Sequence, residues 1–555
     1  MTLLVFTTLA LLSAVVGSVP MTTHITHERR NNHSSRHWEK RNRLEPRDVI
    51  SVQIGLTQRN LDQGHELLMD VSDPDSENYG KHWTAEQITK MFSPSHESIN
   101  AIREWLVESG ISADRIGHSL GYEWIHFNAT VQEAEELFQT KYHLFQHGLE
   151  PRNTIGCDEY KVPSFLAQHI EFVYPGVALI GSMKKSTKRS VQPEKHLAAR
   201  GSSYNQAATG PCDDLDLITP TCIQHIYKVP KGDKNAPGNS LGLFETGSWY
   251  SPTALTSFLA NFTDIPPETT LLNITIDISK THFDRPNDNG EADLDVQMAL
   301  PLVHPQNITV YQVDDDYYTY YGRVAYRGMF QSWLNAIDST YCNYTAFGET
   351  GNNPNVDPTY PDNNQDPSNP DGEIPEGWYR GPPQCGTAKN TNVYSLSYGW
   401  DEADLPYNYM HRQCNEFMKL SLMGTTIVAS TADLGSAPGN LCDPNFLDFY
   451  HAVSQYPANC PYLLTVGATQ LLPGLEEVGL NNNGMASAGG FSWNYTRPAY
   501  QDKAVQDYLK KHQDLDRNRF NSHGRGFPDV SALGWNVLIV YGPDKQVEAQ
   551  AGTSV

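Results

Sequence analysis

Thr426-Ile427-Val428-Ala429-Ser430-Thr431-Ala432-Asp433-Leu434-Gly435 is a short apolar run that ends in an acidic residue and a glycine. Its length and β-branched residues suit a strand buried on both faces. Similar runs lie to either side: Leu241–Phe244, Ile308–Val313, Val393–Tyr398 and Tyr462–Val466, with Asn536–Tyr541 and Val547–Gly552 near the end. Helical spacing fills the gaps at Ser251–Phe262, Ala292–Leu300, Ala403–Gly424 and Asn445–Tyr456. Strands alternating with helices predict an α/β fold with a doubly wound, mostly parallel sheet. Ligands bind such sheets at the carboxyl ends of the strands, which is where Asp433 falls. The Asn/Asp/Pro-rich run 351–383 reads as a long surface loop.

Two further stretches carry reactive groups. In Gly290-Glu291-Ala292-Asp293-Leu294-Asp295-Val296-Gln297, helical spacing puts Glu291 and Asp295 four apart on one face. Ala551-Gly552-Thr553-Ser554 ends in a hydroxyl. A solvated acidic face and a plain turn are the commoner fates of such sequences.

The first half has a different rhythm. Residues 1–18 hold an apolar run, Leu3–Val16, followed by small residues, and read as a secretory signal too short to span a membrane. Residues 19–48 are polar, rich in Arg and His, and predict a disordered lead-in. From 49 to 180, a strand at Val52–Leu56, helices at Asn60–Val71, Ser95–Ser109 and Val131–Thr140, and a strand at Tyr122–Phe127 predict a small α+β domain. Residues 181–202, with Lys184-Lys185 and Lys188-Arg189, read as a linker open to processing, and 203–555 as the second, larger domain.

A net charge of -24 excludes nucleic acid and anionic membrane as partners and suits work at low pH. Eight cysteines in an exported chain predict disulfides, with Cys212–Cys222 and Cys442–Cys460 as the expected pairs. Asn32, Asn128, Asn261, Asn273, Asn307, Asn343 and Asn494 head glycosylation sequons.

Several of these stretches occur together, in the same order, in the sedolisin (serine-carboxyl peptidase) family. The chain resembles its fungal tripeptidyl-peptidase branch through Gly290–Asp295, Ser395–Gly399, Ser430–Gly435, Tyr456–Tyr462 with Val466–Thr469, Gly526–Ala532 and Gly552–Ser554. Cys212–Cys222 resembles the start of that branch's mature enzyme, and Val49–Tyr174, with Tyr79-Gly80-Lys81-His82, its activation prodomain. The resemblance implies a subtilisin-like α/β domain behind a ferredoxin-like prodomain, which would act on it as intramolecular inhibitor and chaperone. It implies a secreted, monomeric enzyme acting on peptides or proteins, with Ser554 as nucleophile, Glu291 as general base, Asp295 orienting that base and Asp433 as oxyanion partner. Glu245 and Tyr398 would be linked to the catalytic glutamate. A carboxylate base can take a proton from serine in acid, and a protonated Asp433 can donate to an oxyanion, so both roles favour low pH.

Two motif positions depart mildly: Ala551 stands where the family has Ser, and Thr431-Ala432 where it has Ser-Gly. The family's structural calcium loop would lie beyond Val555, so this chain is expected to lack the calcium site and to be inactive or poorly folded as written. The alternatives are an endopeptidase of the same family, a non-catalytic secreted glycoprotein on the same fold, and a subtilisin-like enzyme, for which His411, His451 and His523 lack a local motif.

Overall fold

The structure is a computed structural model that describes residues 23–30, 38–119, 121–147, 153–179, 184–185, 211–246, 248–276, 290–313, 330–338, 386–405, 407–436, 452, 454–479, 485–515, 517–542 and 544–555. The signal run, Asn32, Asn343, Cys442, Lys188-Arg189, the 351–383 loop and most of the helix expected at 445–456 lie outside these residues; Gln455–Tyr456 is a short strand.

The amino-terminal domain is built on an antiparallel sheet in the spatial order Gly117–His118, Trp124–Thr130, Val49–Leu56, Ile170–Tyr174. Numbered along the chain, these are strands 2-3-1-4, with helices between the first and second (Gly64–Ser72, Ala85–Phe92, His96–Glu108) and between the third and fourth (Val131–Leu137). That is the ferredoxin-like split βαβ arrangement. Capping boxes at Thr84/Gln87 and Thr130/Glu133 start two of the helices.

Where the structure describes the lead-in expected to be disordered at 19–48, it shows strands instead. His24–Arg29 pairs antiparallel with Glu159–Pro163, and Trp38–Arg43 with His143–His147. These strands are too charged to show apolar alternation, so pairing with a distant strand, rather than burial, holds them.

In the carboxyl-terminal domain, parallel strands run in the order Leu272–Ile276, Asn307–Val313, Ser240–Thr246, Val393–Leu396, Thr426–Ser430, Leu464–Leu472, with Val530–Leu533 parallel and Leu475–Val478 antiparallel on the last. The first strand in sequence, Ser240–Thr246, lies between Asn307–Val313 and Val393–Leu396. The order therefore reverses direction between Ser240–Thr246 and Val393–Leu396, and the carboxyl ends of those two strands form the switch-point crevice.

Cys212–Cys222 forms as expected. Cys460 does not pair with Cys442: it bridges Cys414, on the buried helix Tyr407–Leu422. Nearness in sequence favoured Cys442, but the helix crossing the sheet brings Cys414 within 5.8 Å, Cα to Cα.

That helix also joins the two domains. Arg412, fully buried, donates through Nη1 to the Leu56 carbonyl at 2.9 Å and to Glu171 Oε2 at 2.6 Å, and through Nη2 to the Glu123 carbonyl at 3.3 Å. Asn408 Nδ2 donates to Glu28 Oε1 at 3.1 Å and to the Glu171 carbonyl at 2.9 Å, and the Trp83 N–H donates to the Leu422 carbonyl at 2.9 Å. Below them Met418 and Leu422 share an apolar cluster with Leu68, Val71, Ile88 and Phe92.

Two titratable groups in the amino-terminal domain pull in opposite directions with pH. Burial pushes the Glu28 carboxyl up to about 7, so its stabilising contribution is complete below 4.5 and lost as pH rises through about 7. Burial, then the nearby His118, pushes the His126 imidazole down to about 4; its contribution is present above 6.5 and lost as pH falls toward 4. His126 is only 4% exposed, and for it the loss amounts to about 3 kcal/mol below both values. Denaturant unfolding followed by tryptophan fluorescence at pH 7 and pH 4 should show a smaller loss of stability in acid for His126→Gln than for the wild type.

Candidate active site

The helix Glu291–Val303 starts at Gly290, whose φ of +73° suits glycine and whose Cα faces Ile539 and Tyr541. Its first two turns are buried all round: Glu291 is 0% exposed, Asp293 2% and Asp295 5%. A solvated acidic face is therefore ruled out. The helix amino terminus favours negative charge on Glu291 and Asp293, and the Ser251 N–H donates to Asp293 Oδ1 at 2.9 Å. Gln297 then clamps the helix to the strand Val537–Tyr541, donating to the Val540 carbonyl at 2.6 Å and accepting from its N–H at 2.8 Å.

Glu245, 0% exposed, comes in from the carboxyl end of Ser240–Thr246. Tyr398 donates its hydroxyl to Glu245 Oε2 at 2.8 Å, and Ser397 donates to Asp295 Oδ2 at 2.6 Å. Glu245 also lies beside Asp295 and Glu291. Burial, then the charges of Asp295 and Glu291, hold the Glu245 carboxyl well above the usual carboxylate range, which favours its protonated form. The same burial, then the three acidic groups, raises the Tyr398 phenol, which stays protonated. Glu245, Glu291, Asp295 and Tyr398 thus form one buried group.

The other expected residues meet on the far side of the clamp. The strand Val537–Tyr541 pairs antiparallel with Gln546–Gln550, which leads into Ala551-Gly552-Thr553-Ser554. The Gly552 N–H donates to the Gly534 carbonyl at 3.0 Å. Asp433 Oδ1 accepts from the Thr553 N–H at 2.8 Å and from the Thr553 hydroxyl at 2.9 Å. Asp433 is thereby held beside the residue that precedes Ser554. The Ser554 hydroxyl is buried and makes no hydrogen bond to any described residue. Val555 packs on the apolar cluster containing Ala292 and Leu294, from the helix of Glu291.

Sequence reasoning missed Ser397 and Gln297. The only available signal was their place inside motifs that carry an assigned residue. Among the sequon residues, Asn261, Asn273 and Asn307 are exposed and Asn494 is half-buried. Among the described residues, no group of three His, Cys, Asp or Glu side chains is arranged to hold a metal ion.

Residues 36–179 match the family model described as Pro-kumamolisin, activation domain. Aorsin of Aspergillus oryzae is 38% identical over 564 residues, covering 95% of this chain and 83% of its own length. Tripeptidyl-peptidase sed1 of Aspergillus fumigatus is 35% identical, also over 95% of this chain and 83% of its own. The solved structure of Pseudomonas sedolisin, a serine-carboxyl proteinase complexed with two molecules of pseudo-iodotyrostatin, is 20% identical. It aligns with a TM-score of 0.36 over 60% of this chain and 76% of that one.

Ala432 adopts φ +73°, a left-handed conformation that an alanine methyl disfavours by about 1–2 kcal/mol. The turn is held there by backbone bonds, Ala488 N–H to the Ala432 carbonyl at 2.9 Å and Ala486 N–H to the Asp433 carbonyl at 2.8 Å. Replacing Ala432 by glycine should stabilise the protein by about 1 kcal/mol, read as a rise in the melting temperature.

Proposed function

Because the chain belongs to the sedolisin family of serine-carboxyl peptidases, we propose that it is a secreted acid peptidase that releases tripeptides from free amino termini. One observation carries the reading: Glu291 and Asp295 are buried on one helix, clamped through Gln297 to the β-hairpin that delivers Ser554, with Asp433 bonded to Thr553. Ser554 attacks the peptide carbonyl as its hydroxyl proton passes to Glu291. Negative charge develops on the carbonyl oxygen, and protonated Asp433 donates a hydrogen bond to it. Glu291 then gives its proton to the departing amine, leaving an ester on Ser554; water hydrolyses the ester by the same steps in reverse. Asp295 orients Glu291, and Glu245 with Tyr398 supplies the protonated backing of Asp295.

Export is supported by the Leu3–Val16 run, the exposed sequon residues and the disulfides. No helix among the described residues is long and apolar enough to cross a membrane. The amino-terminal domain serves as intramolecular inhibitor and folding template. Its buried contacts with Arg412 support that role, as does the strand Lys184–Lys185, which pairs antiparallel with Tyr398 and Gly399 beside the carboxylates.

The test is release of tripeptides at about pH 4 from a peptide with a free amino terminus and from the same peptide acetylated. Wild type should cleave the free peptide, and Ser554→Ala or Glu291→Gln should each lower kcat on the order of 10⁴-fold or more. Equal cleavage of the acetylated peptide would identify an endopeptidase. Unchanged turnover in either variant would remove the site assignment.

A further inference from the structure

Ser397 sits where one strand ends and another begins. Val393–Leu396 pairs with Ser240–Thr246 only as far as Leu396, and from Tyr398 the chain pairs instead with Lys184–Lys185 and Gln455–Tyr456. In an unbroken strand, consecutive side chains point to opposite faces. At this break both serve one cluster of carboxyl groups: the Tyr398 hydroxyl donates to Glu245, the Ser397 hydroxyl donates to Asp295, and Glu245 and Asp295 lie beside each other.

Ser397 is 1% exposed, so bulk water does not satisfy its hydroxyl. Its single proton is committed to Asp295 Oδ2 at 2.6 Å, within the range of a bond to an ionised acceptor. The groups facing Asp295 are Glu291 from its own helix, Glu245 from Ser240–Thr246 and Tyr398 from the strand after the break. Ser397 thus supplies Asp295 Oδ2 with a hydroxyl donor, beside a Glu245 whose protonated form burial favours.

We propose that Ser397 is a positioning residue for the peptidase reaction, its hydroxyl keeping Asp295 ionised and aligned against Glu291. The inference rests on the assignment of Glu291 as base. Without the hydroxyl, Asp295 takes up a proton at higher pH, and the proton that Glu291 draws from Ser554 loses its negative partner.

Ser397→Ala and Ser397→Thr in the full chain test this. The alanine variant should lose about ten- to hundred-fold in kcat, the equivalent of one hydrogen bond to a charged group, with KM within about twofold of wild type. The acid limb of its kcat profile should move up by about one pH unit, and threonine should restore both. An unmoved acid limb, or a loss confined to KM or to melting temperature, would overturn the proposal. A second readout needs no turnover: infrared difference titration of the isotope-labelled Asp295 carboxyl, identified by subtraction of Asp295→Asn. Protonation of Asp295 at higher pH in Ser397→Ala supports the role even if the peptidase reading fails; the same titration in both proteins overturns it even if that reading holds.

Discussion

Three carboxyl groups, Glu245, Glu291 and Asp295, share one dry site, and burying that much potential charge normally costs several kcal/mol per ion. The fold meets this constraint by favouring the protonated form of Glu245, which the Tyr398 hydroxyl backs, aiming the Ser397 hydroxyl at Asp295 and placing the first turn of a helix behind Glu291. All of these come from the switch point between Ser240–Thr246 and Val393–Leu396 and from the helix beside it. The parallel sheet is therefore the support that holds like charges together, in a state that acid solution favours.

A second buried charge follows the opposite logic. Arg412 belongs to the carboxyl-terminal domain and pairs with Glu416 on its own helix at 3.5 Å, but its Nη groups donate to carbonyls and a carboxylate of the amino-terminal domain. When the domains separate, both Arg412 and Glu171 must be rehydrated. Partners that complete each other's solvation dock specifically, and the contact resists local fraying more than a surface ion pair does. Burial, its largest influence, raises the Glu171 carboxyl above its ordinary range despite the guanidinium, so acid weakens the charge of this pair before it breaks the apolar cluster beneath it.

The sheet and its helices were legible because β-branched runs such as Thr426–Ser430 and the spacing of Tyr407–Leu422 reflect burial directly. Glu291, Asp295, Asp433 and Ser554 were legible as motifs, and the structure brings the first two to one buried cluster and the last two to one turn. Features that depend on a distant partner were not legible. The sequences of His24–Arg29 and Trp38–Arg43 carry no strand pattern, because their order comes from pairing with residues more than a hundred positions away. Cys414 gave no sign of lying against Cys460. Ser397 looked like any serine after a strand, since its meaning lies in the direction the chain takes at the break.

The pairing of Lys184–Lys185 with Tyr398 and Gly399 puts a tethered strand on the edge beside the carboxylates. Any extended peptide that binds this edge must compete with a segment of the same molecule, which is linked to the site covalently rather than arriving by diffusion. Such competition does not weaken on dilution, so the edge stays covered however dilute the protein becomes. One cut in the tether turns the contest into an ordinary bimolecular one. From then on the freed strand is lost to dilution and the edge is open to whatever peptide is abundant in solution.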